Sequence, residues 1–344
     1  MIAPLLERLL RTAPLSPADA GSVFDALLSA QTSDVARAAL LVGTAARTIT
    51  GPELANFALE LQRRAIPFRV PSGDRPIDLC GSGGARTPSF NISTVSAFVV
   101  AATGVPVVKH GNRSARGVCG SSDLLEALGL PVVESIPFAR ACYRRLRLAF
   151  LHAPLFHPAV RVVAAARKAV GIPTLFNQLG PLSNPAPLSY QLAGVADLST
   201  ARRVVEAMAK MGRRRAAAMT SVEGCDEFSP KRDTKMVVWN GRRIVARTVR
   251  APDLLPPDDR RGSWGPLPPA EAAEEARRIL AGGGGARRGS VLLTAGASLE
   301  ISGRARTISA GVELARHALD SGRAEELLDR MTELSGRFRS RRGE

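Results

Sequence analysis

The sequence predicts an α/β protein built from a small N-terminal all-helical domain and a larger α/β domain whose mostly parallel central sheet is flanked by helices. Three observations predict it. Up to about residue 70, apolar residues recur at helical spacing behind polar starts, and nothing alternates with the period of a strand. From residue 75 onward, short apolar runs end in glycines and polar residues and lead into helical stretches, the alternation that makes a parallel sheet with crossover helices. The chain of 344 residues, 45% of them hydrophobic, is long enough for one large core or two modest ones. The expected boundaries are 1–70 for the helical domain and 75–344 for the α/β domain.

The elements follow in order. The opening "MIAPLLERLLRTAPLSPADA" places Glu7 and Arg8 inside what would be the apolar stretch of a secretory signal, so it reads as an amphipathic helix. "SPADAGSVFDALLSAQ" starts on Ser-Pro and sets Val23, Leu27 and Leu28 on one stripe, and "SDVARAALLVGTAA" and "GPELANFALELQRR" behave alike, giving about four helices. After "VPSGDRP" come a strand "IDLC", a glycine-rich turn, a helix, and the strand of "GVPVVKHG". Further strands are expected in "RLAFLHAP", "QLAGVA", "RAAAMTSV", "TKMVVWNG" and "GRRIVART". The proline-rich "APDLLPPDDRRGSWGPLPPA" reads as a surface loop, and helices close the chain.

Composition narrows the function classes. The longest apolar run, "TVSAFVVAATGVPVV", is broken by Gly104 and Pro106 and is too short for a bilayer, so a cytoplasmic protein without a membrane partner is expected. Cys80, Cys119, Cys142 and Cys225 are widely spaced and read as reduced thiols. The net charge of +16 is nearly all arginine, since lysine occurs only at positions 109, 168, 210, 231 and 235. The arginine clusters lack interleaved aromatic residues for base stacking, so no nucleic-acid partner is expected.

Three segments carry candidate chemistry. Gly81, Gly83 and Gly84 follow the first strand, and Asn91, Ser93 and Thr94 open the next helix; a turn without β-carbons beside a helix N-terminus suits phosphate. The spacing is neither that of the dinucleotide fingerprint nor that of the Walker loop. In "VVKHGNRSARGVCGSSDLLEALG", a second strand ends at Lys109, a cation suited to phosphate, and "GSSD", which includes Ser121, caps another helix. In "SVEGCDEFSP", Asp226 and Glu227 stand at a third strand end, where adjacent carboxylates suit a magnesium ion that also bridges phosphates.

Taken in order, "GSGG…NIST", "KHGNRS", "GSSDLLEALG", "HPAVRVVAAARKAVGIPTLFNQLGPLSNP" and "VEGCDEFSP" resemble the anthranilate phosphoribosyltransferases over almost the whole chain. The resemblance implies transfer of 5-phosphoribosyl from phosphoribosyl pyrophosphate to the amine of anthranilate in tryptophan biosynthesis, with release of pyrophosphate. It implies Gly81, Gly84, Ala85, Ser89, Asn91, Ile92, Ser93, Thr94, Lys109 and Ser121 at the donor, and Gly81, His110, Asn112, His157 and Arg167 at the acceptor. Ser93, Asp226 and Glu227 would hold Mg2+. It implies helices within about 155–190 that return to the helical domain, a homodimer formed through that domain, and catalysis by positioning and electrostatics without a dedicated acid or base. On this view the first loop is bare of side chains because pyrophosphate lies against it.

The sequence departs from the family pattern in places. Ala85 stands where the first loop usually carries Asp and Arg86 follows it, Ser82 replaces Thr, and Val118 and Cys119 replace a basic residue and a serine. The segment "ILAGGGGARRGSVLLTAGASL" lacks the family's asparagine-rich pattern. Two alternatives follow: a phosphoribosyltransferase for another aromatic amine, and a non-catalytic paralogue that binds nucleic acid through its arginines.

Overall fold

The computed structural model describes residues 2–81, 87–114, 118–132 and 135–340. Four helices come first: α1 (Ala3–Leu10), α2 (Pro17–Leu28), α3 (Asp34–Ala45) and α4 (Gly51–Arg63). Their starts are set locally. Ser16 and Thr50 each form a capping box with the acid three residues on, Asp19 and Glu53, and proline occupies the first turn of both helices.

The α/β part follows as β1 (Ile77–Gly81), α5 (Ile92–Ala102), β2 (Val107–Gly111), α6 (Ser121–Ala127), α7 (Ile136–Leu146) and β3 (Leu148–His152). A return segment then carries α8 (Ala153–Phe156), α9 (Ala164–Val170) and α10 (Leu175–Leu179). After it come β4 (Tyr190–Gly194), α11 (Leu198–Lys210), β5 (Arg215–Ser221), β6 (Asp233–Trp239) and β7 (Ile244–Arg250). The chain closes with α12 (Pro269–Leu280), α13 (Ala286–Ile301), α14 (Ile308–Asp320) and α15 (Arg323–Ser340). The last two are separated at Gly322, whose φ of 73° stops the helix.

The seven strands form one sheet in the order β3-β2-β1-β4-β5-β6-β7. The first five are parallel, and β6 and β7 add an antiparallel extension. The chain moves outward from β1 through β2 to β3 and returns on the other side of β1 as β4, so the direction of winding switches between β1 and β4. A crevice at the carboxyl ends of strands opens at such a point.

Alternate strand residues feed different cores. Ile77, Leu79, Val107, Leu148, Leu192 and Ala217 pack with α5 and the C-terminal helices. Cys80, Ala193, Ala216 and Ala218 face a second core, which contains α11, the four N-terminal helices, and Val163, Ala166, Leu175, Phe176 and Leu179 of the return segment. A smaller third cluster joins Phe68, Val108, Tyr143, Leu151 and Phe156.

One expectation is corrected here. The proline-rich stretch after β7 is not wholly a surface loop: Leu255 and Asp259 are buried, and the Asp259 carboxylate pairs with Arg288 at 2.7 Å and Arg316 at 3.1 Å. Two charges clamp the loop to α13 and α14 where proline content alone suggests solvent.

Candidate active site

The carboxyl ends of β1 and β4 are both glycine, Gly81 opposite Gly194 in register. A β-carbon on Gly81 would lie 2.9 Å from Asp226 Oδ2, and one on Gly194 only 1.6 Å from the Asp226 carbonyl oxygen. The β5–β6 loop therefore crosses the switch point in direct contact with both strand ends. Gly81 thus has a reason to be glycine beyond the approach of a ligand: a side chain there would collide with Asp226. Gly84 and Ala85, and the substitutions at 82–86, lie outside the described residues.

Consecutive residues of β2 point to opposite faces of the sheet. Lys109 turns toward α5, is buried, and donates to the Leu79 carbonyl at 2.6 Å and the Ser93 hydroxyl at 3.1 Å. It is thus a fixed interior cation, where the sequence suggested a flexible charge at a strand end. The Ser93 N–H donates to Glu227 Oε1 at 3.2 Å. Burial, and then the neighbouring Asp226 carboxylate, push the Glu227 carboxyl up to about 8.

Ile92 is a core residue whose N–H goes to Phe90 O at 2.7 Å, and the Thr94 N–H goes to Asn91 O at 3.1 Å. With Ser93 committed to Glu227, these three donors serve the protein itself. The Asn91 side chain donates to the Cys119 carbonyl at 3.0 Å and so ties the first loop to the second. Ser89 is hydrogen-bonded to the Cys225 thiol.

The second loop is organised by Asp123, whose carboxylate accepts from the Gly120 and Ser114 N–H groups at 2.8 and 3.1 Å and pairs with Arg113 at 2.8 Å. The Asn112 carbonyl accepts from Ser121 Oγ at 3.1 Å and the Ser122 N–H at 3.2 Å, while the Asn112 side chain is exposed. His152, at the end of β3, lies 2.9 Å by Nδ1 from Ser122 Oγ, a contact no sequence motif signals.

On the opposite face, His110 and His157 stack edge to face with ring centroids 5.3 Å apart. Both are buried, and burial first of all holds both imidazoles neutral, His110 well below its ordinary value and His157 down to about 4. His157 Nε2 is 2.9 Å from the Ser183 carbonyl, and His110 Nδ1 is 3.5 Å from Ser183 Oγ. The remaining ring nitrogens, His110 Nε2 and His157 Nδ1, are buried without a hydrogen-bond partner. Arg167, on α9, is half-buried with its guanidinium 5.1 Å from the Phe176 ring centroid, and burial lowers its pKa. No carboxylate pairs with it among the described residues.

The donor set also tests the fit to a divalent metal. Glu227 Oε2 is buried with no hydrogen-bond partner, beside a second buried carboxylate, and such a pair of hard oxygens suits magnesium, which takes one or two carboxylates and completes its shell with water and phosphate. No cluster of three or more His, Cys, Asp or Glu side chains able to hold a metal occurs among the described residues.

A helical bundle joined to an α/β unit, with polar groups gathered at a strand switch point, defines the class. Two family models of one glycosyl transferase family match the chain, the helical bundle domain at residues 3–65 and the a/b domain at residues 73–325. Anthranilate phosphoribosyltransferases from Desulfitobacterium hafniense and Persephonella marina are 37% and 35% identical, over 90% and 97% of this chain and 92% and 99% of their own. The crystal structure of anthranilate phosphoribosyltransferase from Thermus thermophilus superposes with a TM-score of 0.87 at 33% identity, covering 96% of this chain and 99% of that one. The Saccharomyces cerevisiae enzyme in complex with PRPP and Mg shares the fold, with a TM-score of 0.86 at 22% identity over 97% and 98% of the two chains. The chain belongs to the anthranilate phosphoribosyltransferase family, pentosyltransferases of tryptophan biosynthesis.

Proposed function

We propose that the chain transfers 5-phosphoribosyl from phosphoribosyl pyrophosphate to the amine of anthranilate across the carboxyl ends of β1 and β2. Ser93, Lys109 and Ser121, with Gly84 and Ala85 of the first loop, serve the donor side. Asp226, Glu227 and the Ser93 hydroxyl would hold Mg2+, which when bound offsets the charge of the pyrophosphate leaving group. His110, Asn112, His157 and Arg167 serve the acceptor side. The observation that supports this reading is the juxtaposition on β2: Lys109 reaches the carboxylate cluster on one face, and His110, next in sequence, reaches the imidazole pair on the other.

The chemistry asks little of acids and bases. An aromatic amine is neutral and nucleophilic near pH 7, and both imidazoles are neutral there too, so they position the acceptor and do not titrate. Arg167, with no carboxylate partner among the described residues, is suited to grip the carboxylate of anthranilate at two points. The rate comes from alignment of the amine with the anomeric carbon and from fixed charges around the leaving group.

The assay is loss of anthranilate fluorescence on addition of phosphoribosyl pyrophosphate and magnesium. Turnover requiring both additions is expected, and Arg167→Ala should lower kcat/KM by on the order of 10²-fold, mostly through KM. Unchanged kinetics in that variant would remove Arg167 from the acceptor site.

The exposed apolar residues Val35 and Val42, one turn-pair apart on α3, and Leu10 of α1 support assembly as a homodimer through the helical domain. We take residues 1–70 as that domain, with helices of 155–190 returning to it, and 75–344 as the α/β domain. The four cysteines are free, in keeping with a reducing, cytoplasmic setting, and no described helix is long and apolar enough to cross a membrane.

A further inference from the structure

Asn184, in the block "NQLGPLSNP", takes no direct part in the chemistry above, yet it is fully buried and engages its whole side-chain amide and its carbonyl. The side-chain Nδ2 donates to Asp78 Oδ2 at 2.9 Å and to the Val108 carbonyl at 2.8 Å, and Oδ1 accepts from the Ala186 N–H at 3.0 Å. The Asn184 carbonyl accepts from Gln62 Nε2 at 2.7 Å. One residue therefore joins β1, β2, the return segment and α4 of the helical part.

Its neighbour Ser183 touches both imidazoles. The Ser183 carbonyl can only accept, so His157 carries its proton on Nε2 and Nδ1 is left as a bare acceptor. The Ser183 hydroxyl gives its hydrogen to the Gly180 carbonyl at 2.9 Å, so toward His110 Nδ1 it accepts, and His110 Nε2 is bare as well. Asp78 completes the frame by accepting the His110 N–H at Oδ1, 3.3 Å away. Two buried lone pairs thus stand ready for a ligand with two N–H hydrogens, and their spacing depends on where Ser183 sits. An apolar residue at 184 would fill the space without the desolvation cost of an amide, so the hydrogen bonds, not the volume, account for Asn.

We propose that Asn184 is the positioning residue of the acceptor path: held by Asp78 and Val108, it fixes Ser183 and through it the separation of the His110 and His157 rings that receive the acceptor amine. This rests on the assignment of those two histidines to the acceptor.

The test is steady-state kinetics of the full-length enzyme with each substrate varied in turn. Asn184→Ala and Asn184→Asp should each raise the anthranilate KM about tenfold or more, because an ångström of misplacement is felt at this scale, while the phosphoribosyl pyrophosphate KM stays within about twofold. Asp78→Asn removes one of two acceptors with little change of shape, and carries the same expectation if the Asn184 variants fold poorly. The swapped pair Asp78→Asn with Asn184→Asp restores one donor facing one acceptor while leaving the Val108 carbonyl without its donor, and should recover part of the anthranilate KM relative to Asn184→Asp alone. A merely structural role would reduce the folded fraction and leave both KM values of the folded enzyme unchanged, and that result, or equal loss toward both substrates, overturns the proposal. His110→Ala and His157→Ala keep the outcomes separable. If neither alters the anthranilate KM, the acceptor assignment fails and takes this proposal with it; if they do and the Asn184 and Asp78 variants do not, the proposal alone fails.

Discussion

His157 takes up a proton near pH 6.5 in the unfolded chain and only near 4 when folded, because burial disfavours the imidazolium. The folded state is therefore penalised as pH drops from 6.5 toward 4, by on the order of 3 kcal/mol once both values are passed. His157→Gln should flatten that part of a plot of Tm against pH, and an unchanged slope would place the acid sensitivity elsewhere. Gly194 makes a second prediction at this scale. With 1.6 Å between a new β-carbon and the Asp226 carbonyl, Gly194→Ala must displace the carboxylate loop, and activity should fall on the order of 10²-fold with circular dichroism unchanged. Gly180→Ala, with open space around it, is the control and should be silent.

These residues also mark what the sequence reveals. Lys109, Ser93, Asp226 and Glu227 stand out as a rare lysine in a strand, a helix start and an acid pair in the loop after a strand. Gly194, Asn184 and His152 do not, because their partners lie 32, 106 and 30 residues away and no local pattern encodes the contact. Gly81 is legible as a glycine that matters, but not its contact with a carboxylate from a loop far along the chain.

Among the elements, α4 shows how a local signal acquires a distant anchor. The Thr50–Glu53 capping box is readable from four residues, but Glu53 also accepts the Leu15 N–H at 2.8 Å and pairs with Arg47 at 2.6 Å, almost wholly buried. Burial alone would raise the Glu53 carboxyl; the N–H groups of Thr50 and Leu15, the Thr50 hydroxyl and the Arg47 guanidinium outweigh it and hold the pKa below its ordinary value. The stability this contributes is present above the ordinary value of 4.5 and is lost as pH falls through the lower folded value. Glu53→Gln should therefore cost about 1–3 kcal/mol at pH 7, read as a lower urea midpoint, with the difference from wild type shrinking in acid. A constant difference down to pH 3 would assign the effect to packing.

For the whole molecule, the seven strands and the run of closing helices follow from apolar periodicity: β1 to β6 are short, mostly buried runs bounded by turn residues, and β7 is a half-exposed edge strand. The order of strands does not follow: that β4 pairs with β1 depends on partners more than a hundred positions apart, such as Ile77 and Tyr190. The two cores on either side of the sheet share strands residue by residue, so the helical part and the α/β part meet through a common backbone.

The reversal after β5 gives the molecule a blind end. Because β6 runs opposite to β5, the β6–β7 turn at Asn240–Arg243 lies at the amino edge of the parallel strands, at the opposite end from Gly81 and Gly194, with Asn240 Oδ1 closing the turn on the N–H groups of Arg242 and Arg243. A flexible peptide spliced into that turn should leave both KM values and the melting temperature near those of the parent, which makes it the place from which the enzyme can be tethered to a bead or a sensor chip while its working edge faces the solution.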